Sequence, residues 1–141
     1  MGYLALRDGV SLLAAPAEAQ VAWLDDIFRD MTNGGSAEGF GNYELLANYC
    51  EDMVAIGHQV SVGQVAPTEE KAFRRLDEFI GSVPKDDEAI WLRESLFADQ
   101  RWEEISRVAL EVLATLPDKA NDPEWVKRYG GGYKSRAIPA G

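Results

Sequence analysis

Apolar residues recur at steps of three and four through most of the chain, with polar residues between them, which is the spacing of one buried face on a helix. Pro16 suits a first turn and Glu18 suits its positive end, and Val21, Leu24, Ile27, Phe28 and Met31 then predict a first helix over 16–31. Leu46, Tyr49, Cys50, Met53, Ile56 and Gly57 mark one face of a second, ending near His58. Thr68 is placed to cap a third, with Ala72, Phe73, Leu76, Phe79, Ile80 and Val83 inward and Pro84 as its stop. Asp86 or Asp87 opens a fourth through Ala89, Leu92 and Leu96, and a fifth runs from Trp102 through Ile105, Ala109, Val112, Leu113 and Leu116 to Pro117. Asp122-Pro123-Glu124 starts a short sixth helix that Gly130 ends.

Three stretches break the pattern. In segment 3–13, two apolar stretches flank Asp8-Gly9, a two-residue hairpin signal, so a short N-terminal β-hairpin is expected there. Residues 33–42 carry four glycines in ten and predict a loop. Residues 130–141 lack periodicity and read as a flexible basic C-terminal tail, open to proteolysis. The expected fold is therefore all-α: a single domain over 1–129, of five or six helices packed as antiparallel hairpins, followed by that tail.

Shifting the chain by 33 residues places Glu70, Arg74 and Glu78 on Glu103, Arg107 and Glu111, and Pro84 on Pro117. Each of these two helices stacks Glu, Arg and Glu at steps of four along one exposed face. In segment 86–119, Leu92 and Leu96 are followed by Trp102-Glu103-Glu104 and closed by Pro117. This order resembles a single tetratricopeptide unit. Ile105 and Arg93 depart from it, standing where that repeat has small residues. The resemblance covers 34 of 141 residues and implies a helical hairpin at 86–119, not membership of the family, because about three units are needed to bury a continuous core.

Composition narrows the function. With 141 residues, 46% of them hydrophobic, the chain can bury a core without staples. No apolar run approaches the roughly 20 residues that cross a bilayer, and Met1-Gly2-Tyr3-Leu4 lacks the basic start of a signal peptide. One cysteine makes no internal disulfide, so a cytoplasmic protein is expected. Residues 1–120 hold 22 acids and 10 bases, a net of −12, and residues 121–141 hold 2 acids and 4 bases, a net of +2. Such a body repels phosphate backbones and anionic membranes, which need Lys and Arg to displace counterions, and it attracts cations or basic proteins. Neither a nucleic acid nor a membrane is expected as a partner.

Candidate chemistry is sparse. A single histidine excludes triads and metal sites that need a second imidazole, and no metal or other cofactor is expected. His58 lies eight residues beyond Cys50, about 12 Å along a helix, too far for proton transfer between them. Cys50 reads as a small buried hydrophobe and His58 as a solvated helix-end residue. The glycine loop lacks Gly-Lys-Ser or Gly-Lys-Thr and so makes no phosphate cradle. Acids cluster at Asp25, Asp26 and Asp30, and again at Glu51 and Asp52. Residues 1–66 hold nine acids against Arg7 and Arg29, leaving these acids unpaired and free to meet a cationic surface, with Trp125 and Tyr129 as aromatic anchors. The expected function is a non-enzymatic domain that neutralises or sequesters a basic protein, of the bacterial toxin immunity or antitoxin type. The alternative is a small enzyme or ligand-binding protein with a carboxylate-based site.

Overall fold

Tyr3, Leu6, Val10 and Leu13 stand at helical spacing, and all four are buried. They lie on one helix, α1 (Gly2–Ala14), where the Asp8-Gly9 pair had marked a hairpin turn. The reason is packing: a Cβ added to buried Gly9 would lie 3.2 Å from Cδ1 of Tyr49, so this glycine lets two helices approach closely instead of turning the chain. In this computed structural model, which describes residues 2–31, 42–86 and 88–116, no strand occurs among the described residues.

The other elements are α2 (Ala17–Met31), α3 (Tyr43–Met53), α4 (Ile56–Ser61), α5 (Pro67–Ser82), a 3-10 turn (Ala89–Trp91), α6 (Ser95–Ala98) and α7 (Gln100–Thr115). The segment that resembles a tetratricopeptide hairpin thus has the 3-10 turn and the four-residue α6 in place of a continuous first helix. The expected sixth helix, the tail and Pro117 lie outside the described residues, as do residues 33–41 of the expected glycine-rich loop.

Helices α1, α3, α5 and α7 form the body: α1 packs on α7 and α3, and α5 packs on the same two. Trp102, Tyr49 and Phe73 are the largest fully buried side chains. The Tyr49 hydroxyl donates to the Phe73 carbonyl at 2.5 Å, tying α3 to α5, and burial pushes this phenol well above its ordinary pKa. The open carbonyls at the end of α1 are also met. Gln20, fully buried, donates to the carbonyls of Leu12 and Leu13 at 3.0 and 3.2 Å, and the Ser106 hydroxyl donates to Leu13 at 2.7 Å.

Helix α5 starts at Pro67, with Ala66 rather than Thr68 as its cap: the Glu69 carboxylate accepts from the Ala66 N–H at 2.9 Å. Each expected Glu–Arg–Glu ladder closes one of its two pairs, Arg74 on Glu70 at 2.8 Å and Arg107 on Glu111 at 2.5 Å, while Glu78 and Glu103 have no ion pair among the described residues. Arg75 of α5 also bridges to Glu111, joining α5 to α7.

Asp99 caps α7, accepting from the Arg101 N–H at 2.8 Å, while the Arg101 guanidinium folds back onto the same carboxylate at 2.7 Å. That side-chain hydrogen bond holds the Asp99 carboxyl below its ordinary pKa. Asp99→Ala is expected to cost about 1 kcal/mol near neutral pH in thermal melts. A carboxyl depressed in the folded state contributes stability above its unfolded pKa and loses it as pH falls through the folded value, so the gap to wild type should narrow in acid.

Candidate functional site

The acids singled out in the sequence divide into two sets. On α2, Asp25 accepts from Arg93 at 2.6 Å, and Asp26 accepts from Arg29 at 2.7 Å. This corrects the expectation that these acids stand unpaired: Arg93, 68 positions away, reaches Asp25 from the loop before α6. On α3, Glu51 is exposed and Asp52 is half-buried, with burial and then the Glu51 charge pushing the Asp52 carboxyl up. The side chain of Asp30 and the residues Trp125 and Tyr129 lie outside the described residues.

Side chains that the acid pattern did not single out line a pocket of about 360 Å³ between α3, α5 and the 3-10 turn. Tyr43 and Trp91 meet edge to face, with ring centroids 5.5 Å apart and an interplanar angle of 71°. Leu46, Ala47 and Ile80 add apolar surface, and Cys50, Asp77 and Lys85 bring polar atoms. Tyr43 leaves 59% of its surface in solvent and stands at the rim of the pocket.

Asn42 holds the aromatic wall. Fully buried, it donates its backbone N–H to the Trp91 carbonyl at 2.9 Å and its amide to the carbonyls of Ile90 and Leu92 at 3.2 and 2.6 Å. Cys50 is half-buried with Sγ 4.0 Å from Asp77, so it is not the plain core hydrophobe its place on the apolar face implied. Burial and then the Asp77 charge push its thiol up, against the pull of Lys85; the protonated thiol is a poor nucleophile. His58 is exposed on α4, separate from this group.

A larger groove of about 650 Å³ runs along α5 and α7 past Lys71, Arg74, Arg75 and Val112. Its arginines are already bound to Glu70 and Glu111, while Lys71 and Glu78 on the same lining carry no ion pair among the described residues. Among the described residues, no group of three His, Cys, Asp or Glu side chains is placed to hold a metal ion, and no helix is long and apolar enough to cross a membrane. No family model, curated protein or solved structure matches the chain.

One signal for the pocket was present in the sequence. Asp77 stands four residues after Phe73 and three before Ile80, which places a carboxylate on the edge of the buried stripe of α5. Tyr43, Trp91 and Lys85 come together only through the tertiary fold.

Proposed function

We propose that the chain is a non-enzymatic protein-binding domain that sequesters a basic protein partner in the cytoplasm, in the manner of a bacterial toxin immunity protein or antitoxin. One observation supports this most: the arginines are largely used up internally while acids are not. Arg29, Arg74, Arg75, Arg93, Arg101 and Arg107 are each bound to a carboxylate of the chain. Glu18, Glu51, Glu78, Glu88, Glu94 and Glu103 are exposed, and no ion pair to them occurs among the described residues. The charge that faces solvent is therefore the acidic surplus, which steers cationic surfaces toward the protein.

With Asp25 and Asp26 paired, Glu51 and Asp52 become the leading contacts of this face. The immobilised chain and a Glu51→Lys, Asp52→Lys variant should be offered to lysate of the source cell at low and moderate salt. The expected result is a retained protein of basic isoelectric point that salt releases and charge reversal rejects. A partner held equally by both chains would overturn the acidic face as its site.

A second reading, a ligand-binding protein with a carboxylate-based site, is favoured by one feature: the Asp77 carboxylate lies in an aromatic-lined pocket with no cation bound to it among the described residues.

A further inference from the structure

We infer that the pocket between α3, α5 and the 3-10 turn takes an organic ammonium, a small molecule joining a protonated primary amine to an aromatic or branched apolar body. The inference rests on the ligand-site reading and names the chemistry of the guest. It begins with the two charges that line the pocket, which are not equally available. The Lys85 ammonium donates to the carbonyls of Ile80 and Val83 at 2.5 and 2.7 Å, at the C-terminal end of α5. There the helix concentrates partial negative charge, so the Lys85 ammonium is held in place with two of its N–H donors taken.

Asp77 has no such counterweight. No cation lies in ion-pair range of it among the described residues, and its polar neighbour is the Cys50 thiol, a weak donor at 4.0 Å. The charged group with open hydrogen-bonding capacity in the pocket is therefore the carboxylate. Its complement is a cation whose N–H groups can point at a carboxylate.

The walls select the rest of the guest. Trp91 and Tyr43, held edge to face by the Asn42 clasp, add aromatic surface to the same pocket, and such surface both attracts cations and packs an apolar body. At about 360 Å³ the pocket sits near the lower end of the range of small-molecule sites, roughly 300–1,000 Å³, which suits an arylalkylamine.

Cys50 is the single thiol of the chain and lines the pocket, so its alkylation by iodoacetamide, followed on the full chain by intact-mass spectrometry, reads occupancy. Phenethylammonium should slow alkylation saturably by about tenfold, while phenylacetate and benzyl alcohol, with similar bodies and anionic or neutral heads, leave the rate within about twofold. Asp77→Asn should abolish the protection and Lys85→Met should retain it, with thermal melts confirming that both fold. Equal protection by phenylacetate, protection by the amine that survives in Asp77→Asn, or its loss in Lys85→Met would overturn the ammonium assignment yet leave a ligand pocket standing. No protection by any of the three compounds would overturn the assignment and the ligand-site reading together.

Discussion

Truncating Trp102 to Ala is expected to cost about 3–5 kcal/mol of folding stability, a large share of what a domain of this size possesses. The indole is fully buried, and its Nε1–H donates to the Ile90 carbonyl at 2.8 Å, so one side chain fills the core and fastens the 3-10 turn to α7. Trp102→Phe separates the two contributions. It keeps most of the buried ring and drops the N–H donor, for an expected cost of about 1–2 kcal/mol. Chemical denaturation reads both as midpoint shifts at constant slope. Equal losses for Phe and Ala would assign the effect to the hydrogen bond and remove burial as its main source.

The helical character of the chain was legible because α2, α3, α5 and α7 each bury one stripe at steps of three and four. Helix α1 carries the same stripe, Tyr3, Leu6, Val10 and Leu13, but Asp8-Gly9 outweighed it. An Asp-Gly pair is a turn signal when both residues meet solvent. Here Gly9 sits against Tyr49 across a helix crossing, and no local pattern tells a turning glycine from a packing one. Segment 86–98 failed for a related reason. Its carbonyls at Ile90, Trp91 and Leu92 accept from Asn42, about fifty positions earlier, and Leu92 turns extended with ψ of 140°. The extended Leu92 interrupts the helical backbone between the 3-10 turn and α6.

The acidic face was legible as composition and not as geometry. Periodicity places Asp25 on α2, yet only the fold brings Arg93 to it. Glu51 and Asp52 keep the exposure their positions implied in different measure, the second being half-buried and its carboxyl pushed up. The pocket was hardly legible at all, because its aromatic wall and its polar groups come from three separate elements.

Asn42→Ala is expected to cost about 2–3 kcal/mol, because it deletes two hydrogen bonds to buried or half-buried carbonyls while keeping the backbone N–H that reaches Trp91. The Asn42 Oδ1 has no partner among the described residues, so its removal returns part of the loss. Asn42→Asp should be worse than Ala near neutral pH, since it turns a carboxylate toward two carbonyl oxygens. Such a carboxyl has its folded pKa raised, so its penalty is present above the ordinary value of about 4 and relieved as pH falls. The order of the two variants should therefore narrow or reverse in acid. Ile90 offers a sharper check, because its carbonyl accepts from both Asn42 and Trp102. Either donor alone can satisfy it. Asn42→Ala combined with Trp102→Phe leaves it without a donor and should exceed the sum of the single losses by about 0.5–3 kcal/mol. The same double variant removes the side-chain bonds to the carbonyls on either side of Trp91, leaving it the Asn42 N–H alone, so amine protection of Cys50 should weaken with it. Additive losses with protection intact would show that the clasp holds neither the carbonyl nor the pocket.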